Sequence, residues 1–216
     1  MLENLLTVNA AQRATPPRAR EATEAASAMV TWSGPQVERF LNWVEADRYH
    51  PAFYFLATSG TRRSEALGLT WRDVDPDAAR ISIRRALIVV GHKATMGSTK
   101  TGRARVIELD AGTVSVLRQL WRRQAADRLL IGPKYAEGDF VFCHATGEPY
   151  HLDRFSREFD HKLERFNKDH AGDPLPRLRL HDLRHTWASL ALRAGVHPKV
   201  VADRLGHTTT NITLNI

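Results

Sequence analysis

The sequence predicts an α+β domain, mostly helical, with a small antiparallel β-sheet or hairpin. Three observations lead there. Apolar residues recur at helical spacing through most of the chain beyond residue 31, two Ile- and Val-bearing runs flank a glycine-rich connection, and glycines stand where the last two helices should stop. Residues 1–28 are rich in Ala, Thr, Arg and Glu, carry Pro16-Pro17 and hold no aromatic residue, so a linker or flexible tail is expected there, with one domain over 29–216.

The elements follow in order. Trp32-Ser33-Gly34-Pro35 is a helix start, and Val37, Phe40, Leu41 and Val44 continue it at helical spacing. A second helix is expected from about 51 to 57, broken by Ser59-Gly60, and a third carries Arg62, Glu65, Ala66 and Leu69 up to Trp71. Residues 80–90 predict a single strand and 103–109 its partner, joined by a connection over 91–102. The pair forms a basic β-hairpin. Helices are expected at about 111–130, 152–168, 182–194 and 198–205, with Gly195 and Gly206 as stops, and Pro174 and Pro176 mark an extended segment leading to His181.

Composition narrows the function classes. The 216 residues, 43% hydrophobic and 25% charged, are ample for one buried core, and apolar runs such as Ala86 to Val90 are far too short to span a membrane. The lone cysteine, Cys143, allows no internal disulfide, so a reducing, cytoplasmic setting is expected. The formal charge is +7, and 25 of the 31 cations are arginine. Guanidinium forks bind phosphate bidentately. Eleven of the cations, against three anions, fall between residues 81 and 135. A polyanion, nucleic acid before a membrane surface, is the partner this distribution suggests.

Four clusters can carry chemistry. In His181-Asp182-Leu183-Arg184-His185, His181 and Arg184 lie three apart on a helix and can converge on one phosphate oxygen. The same pentad can be a plain helix start, and His181 with His185 imitates the H-E-x-x-H zinc spacing, although Asp182 stands in place of the glutamate. In Thr58-Ser59-Gly60-Thr61-Arg62-Arg63-Ser64-Glu65, Gly60 ends one helix and Arg62 opens the next, where Glu65 can brace it or merely form a surface ion pair. Gly97-Ser98-Thr99-Lys100-Thr101-Gly102 puts a lysine on a glycine-flanked turn, with Arg103 and Arg105 beyond it. Leu205-Gly206-His207 frees a histidine after a helix stop.

In this order and spacing the four clusters resemble the catalytic domain of the tyrosine recombinase (phage integrase) family. That pattern is an arginine in a T-G-x-R-x-x-E box, a hairpin lysine, H-x-x-R, then L-G-H. The matches are Arg62 with Glu65, Lys100, His181 with Arg184, and His207, over residues 31–216; Ser59 replaces the usual threonine. The resemblance implies site-specific DNA breakage and rejoining through a 3′-phosphotyrosyl intermediate, without cofactor or metal. Arg62 and Arg184 would grip the scissile phosphate, with Glu65 orienting the arginine. His181 and His207 would hydrogen-bond the phosphate or handle the nucleophile's proton, and Lys100 would protonate the leaving 5′-oxygen. Arg63, Thr99, Arg103 and Arg105 are expected to touch DNA.

One departure is large. The family's tyrosine follows L-G-H by nine or ten residues, which falls on Ile216 or past it, and Tyr49, Tyr54, Tyr135 and Tyr150 all lie elsewhere. The expectation is therefore a catalytic domain truncated before its nucleophile, without the N-terminal core-binding domain, able to bind double-stranded DNA but inactive alone. Full-length family enzymes act with other protomers as tetramers on two duplexes; this chain is expected to be monomeric and away from membranes. The alternatives are a type IB topoisomerase, a non-catalytic DNA-binding or regulatory module derived from an integrase, and a zinc hydrolase.

Overall fold

The computed structural model describes residues 30–90, 93–98 and 104–206. The expected tail, the lysine-bearing turn over 99–103 and His207 lie outside the described residues.

Helix α1 (Gly34–Trp43) begins where a reciprocal box satisfies its free N–H groups: Gln36 N–H donates to Ser33 Oγ at 3.4 Å and Ser33 N–H to Gln36 Oε1 at 2.8 Å. Helix α2 (His50–Ser59) is apolar round most of its circumference and buries Phe53, Phe55 and Leu56 among others, as befits the central helix of the domain. Against it pack α3 (Arg63–Leu67), α4 (Ala111–Ile131) and α6 (Asp182–Arg193). Helix α5 (Leu152–Asp169) buries one stripe, Leu152, Phe155, Phe159, Leu163 and Phe166, and α7 (Pro198–Leu205) lies against α6 through Ala188, Val201 and Leu205.

The core is aromatic. Phe159 lies 5.3 Å from Phe40 and 5.5 Å from Phe53 between ring centroids, and Trp32 closes the cluster. The Trp32 indole N–H donates to Pro176 O at 3.0 Å and its backbone N–H to Thr186 Oγ1 at 3.2 Å. These bonds fasten the proline-marked segment and α6 to the start of α1.

The α+β reading holds, and two of its details are corrected. The third helix stops at Leu67, short of Leu69, and Arg62 caps it in extended geometry without joining it. Thr70 instead bridges Phe140 antiparallel, with Val141 N–H donating to Leu69 O at 2.9 Å and Trp71 N–H to Asp139 O at 3.0 Å, before a 3-10 turn at Trp71–Asp73. The predicted strand over 80–90 is two strands. β2 (Arg80–Ile83) pairs with β5 (Arg105–Glu108) and with the short β1 (Val74–Asp75), while β3 (Arg85–Val90) pairs with β4 (Lys93–Ser98), which occupies part of the expected connection. The register explains the break. Ile83 faces Arg105 and Arg85 faces Ser98, so the single residue Arg84 stands opposite six residues, 99–104. A ladder cannot continue through that mismatch. Lys100 thus falls in sequence between the end of β4 and the start of β5, outside the described residues.

Among the described residues no helix is long and apolar enough to cross a membrane. Phe159 is fully buried amid Trp32, Phe40 and Phe53. Phe159→Ala should therefore cost about 3–5 kcal/mol in urea unfolding; a loss below about 1 kcal/mol would contradict this packing.

Candidate functional site

The site forms where two helices end. Helix α2 stops at Gly60 (φ 68°) and α7 at Gly206 (φ 66°), both left-handed, a conformation that costs glycine nothing. A Cβ on Gly60 would also fall 2.5 Å from the Trp187 ring, so no other residue fits there. Each stop leaves helix carbonyls without intrahelical partners, and these carry the partial negative charge of a helix C-terminus.

Arginines satisfy them. Arg184, 4% exposed on α6, donates to Gly60 O at 2.7 Å and to Leu205 O at 2.5 Å, joining the two helix ends. Arg62 donates to Gly206 O at 3.3 Å, and Arg105 donates through Nε to Arg204 O at 2.9 Å. Three consecutive carbonyls at the end of α7, those of Arg204, Leu205 and the capping Gly206, are each held by a different guanidinium. In return the Arg204 side chain reaches Ser59 O and Thr58 O, both at 3.3 Å, and stacks 4.8 Å from the Trp187 ring.

Glu65 lies at the centre, 1% exposed. Its Oε2 accepts the Arg62 N–H at 3.0 Å and its Oε1 the Arg62 side chain at 2.9 Å, while Arg105 grips both oxygens at 3.1 and 2.6 Å. Burial pushes this carboxyl up, yet Arg105 first and Arg62 next outweigh it and hold it below the ordinary 4.5. One carboxylate faces three guanidinia, so the cluster keeps an excess of positive charge. Burial, then the charge of Arg62, lowers Arg184 to about 9. It stays cationic at neutral pH, with N–H groups left over for an oxyanion.

The structure brings Arg62, Glu65 and Arg184 together as the sequence suggested. His181 stands at the head of α6, its ring 5.3 Å from that of His185 and perpendicular to it. Burial first, then His185 and Arg184, hold His181 below 6.5, and His185 is lowered too, chiefly by burial. Both imidazoles are neutral at pH 7. The His185 Nδ1 is buried with no hydrogen-bond partner among the described residues. No three His, Cys, Asp or Glu side chains gather into a metal-ligand group among the described residues.

Two residues expected on DNA are engaged elsewhere. Arg63 donates to Leu152 O at 3.0 Å and to Ser156 Oγ, and pairs with Asp153, all on the first turn of α5. Arg105 is committed to Glu65 and α7. Thr99, Lys100, Arg103 and His207 lie outside the described residues. Sequence reasoning missed Arg204 and Trp187; nothing local to the 198–205 pattern signals that Arg204 serves another helix.

The four tyrosines sit apart from this cluster. Tyr49 and Tyr150 pack on each other and on Phe155, Tyr54 lies beside His50, and Tyr135 stacks under Arg128 next to Cys143. Burial raises all four phenols, Tyr135 to about 12. Such phenols are poor nucleophiles at neutral pH.

The sequence profile described as the phage integrase family matches residues 33–216. The chain is 31% identical over 192 residues to an integrase of Streptomyces ambofaciens, covering 82% of this chain and 46% of that protein. It is 30% identical over 171 residues to the integrase of Mycobacterium phage D29, covering 78% and 42%. Among solved structures it resembles the Tn1549 transposon integrase in complex with transposon right end DNA, with a TM-score of 0.78 at 25% identity, over 88% of this chain and 62% of that one. The fold is shared with XerA recombinase, at a TM-score of 0.68 and 21% identity over 86% of this chain and 59% of that one. The chain thus spans about half the length of the relatives it matches.

The titrating groups fix a pH response. His181 and His185, with His50 and His144, have folded-state pKa values below 6.5, so the unfolded chain binds protons that the folded one refuses. Stability should be flat from pH 7 to 8 and fall below about 6.5. The stabilisation from Glu65, present above its ordinary 4.5, is lost at still lower pH. Melting temperature against pH checks this: His181→Gln should make the decline between about pH 6.5 and 5 shallower, and a melting temperature that rises on acidification would contradict it.

Proposed function

The chain belongs to the phage integrase family, and from that premise we propose that it binds duplex DNA and holds a scissile phosphate between Arg62 and Arg184 for metal-free strand breakage and rejoining. The observation that carries this reading is the convergence of Arg62, braced on Glu65, and the buried Arg184 on the carbonyls at the end of α7, where Arg184 has no carboxylate to balance its charge.

In this mechanism an oxygen nucleophile attacks phosphorus while the bond to the 5′-oxygen breaks. Arg62 and Arg184 take up the charge that grows on the non-bridging oxygens, as preorganised donors at an oxyanion do. Neutral His181 accepts a hydrogen bond or a proton from the nucleophile, and Lys100 gives the 5′-oxygen its proton. His207 follows directly on Gly206, whose carbonyl Arg62 holds, and in this reading it hydrogen-bonds the phosphate or handles the nucleophile's proton. The family's nucleophile is a tyrosine, and the resulting 3′-phosphotyrosyl ester keeps the bond energy for rejoining. The four tyrosines of this chain, raised in pKa and packed away from Arg62 and Arg184, do not serve. The 216 residues alone then bind DNA as a monomer without cutting it, and strand exchange takes place in a tetramer on two duplexes when the nucleophile is supplied.

The test uses a duplex selected by the chain from a random pool, with hydrogen peroxide or a phenol added as the missing oxygen nucleophile. Nicking at one bond that depends on the added nucleophile is expected, and Arg62→Ala or Arg184→Ala should each slow it by about 10²–10³-fold. Tight, salt-sensitive binding with no nicking under any nucleophile would replace this reading with that of a non-catalytic DNA-binding module.

A further inference from the structure

We infer that Arg105 is the positioning residue of this site: it holds Arg62 in place through Glu65 and the end of α7 through the Arg204 carbonyl, and does not contact DNA. The inference rests on the phosphate-transfer reading above and assigns to Arg105 a role that its basic character and its neighbours in the sequence do not suggest.

Four observations meet at this side chain. Each of its three nitrogens is engaged, with Nη1 and Nη2 on the two oxygens of Glu65 at 3.1 and 2.6 Å and Nε on Arg204 O at 2.9 Å. The side chain is 12% exposed and, unlike Arg184, whose Nη atoms meet only carbonyls, it spends both Nη atoms on a carboxylate. Its guanidinium lies flat against the Gly206 backbone, so that a Cβ at 206 would come within 3.2 Å of Nη1. Finally, Arg105 opens β5, five residues after Lys100, and its Arg204 contact lies three residues before His207. The segment that carries Arg62, the start of β5 and the end of α7 are therefore tied together at one guanidinium.

The charge arrangement gives the tie a chemical effect. Glu65 also accepts from Arg62, so without Arg105 the whole carboxylate charge would fall on Arg62. That would weaken the grip of Arg62 on a phosphate and leave its direction to a single ion pair. With Arg105 taking a bidentate share, Arg62 keeps net positive charge for the substrate and its orientation is fixed from both oxygens.

The experiment compares the 216-residue chain with its Arg105→Gln, Arg105→Lys and Glu65→Gln variants and the Arg105→Gln/Glu65→Gln pair. Two readouts are taken: duplex affinity across salt concentrations, and the peroxide-supported nicking rate at saturating duplex. Arg105→Gln should leave the dissociation constant within about twofold and the salt slope unchanged, while nicking slows by about 10- to 100-fold. Arg105→Lys, which keeps the charge without the fork, should fall between, and the double variant should lose no more than the worse single one. A general loss of folded protein would lower binding and rate together, so the split between them marks positioning; if Arg105→Gln does not fold, Arg105→Lys carries the same test. A salt slope reduced by about 0.9 would make Arg105 a phosphate contact and overturn the inference, as would an unchanged nicking rate in the variants. Nicking absent in the parent chain overturns the phosphate-transfer reading and this inference with it, a result distinct from equal nicking by parent and variants.

Discussion

Burial of the Arg184 guanidinium between two helix ends is the constraint from which the site follows. A buried cation is costly unless it is paired or hydrogen-bonded to groups of opposite polarity. Here Gly60 O and Leu205 O supply that polarity from the C-termini of α2 and α7, each exposed by a left-handed glycine. Solvating a guanidinium with helix carbonyls, and not with a dedicated carboxylate, leaves its positive charge uncancelled. Arg62, Arg105 and Arg204 also each hold a carbonyl at one of the two helix ends, and Arg62 and Arg105 share the single carboxylate of Glu65. Helix termination and substrate electrostatics are thus one feature.

The net charge is correspondingly a poor map of the outer surface. Several cations of the 81–135 stretch are already matched: Arg85 with Asp73, Arg118 with Asp77, Arg128 with Asp139, and Arg105 with Glu65. A polyanion still has arginines to meet, but which ones depends on packing that a charge count does not see.

How far the sequence revealed this structure can be traced residue by residue. The helices over 152–168 and 198–205 were legible because their apolar spacing and stop residues agree with the packing they enter; Phe155, Phe159, Leu163 and Phe166 do form one buried stripe. Arg62, Glu65 and Arg184 were legible as a set through resemblance, and the structure joins them around the helix stops. The break at Arg84 was not legible, because it depends on register between distant strands. Strand β4 was hidden as well: Lys93 and Gly97 are poor strand formers, and pairing with β3 overrides them. Arg63 and Arg105 announce charge in the sequence but not partners, and both turned out to serve protein groups within the fold.

A crystal structure of the chain with a duplex it has selected tests the central claim most directly. The account predicts one backbone phosphate with its non-bridging oxygens about 2.7–3.0 Å from the guanidinium nitrogens of Arg62 and Arg184, while Arg184 keeps its bonds to Gly60 and Leu205. A complex in which DNA lies on the exposed strand face, with no phosphate within hydrogen-bonding distance of either arginine, would contradict it.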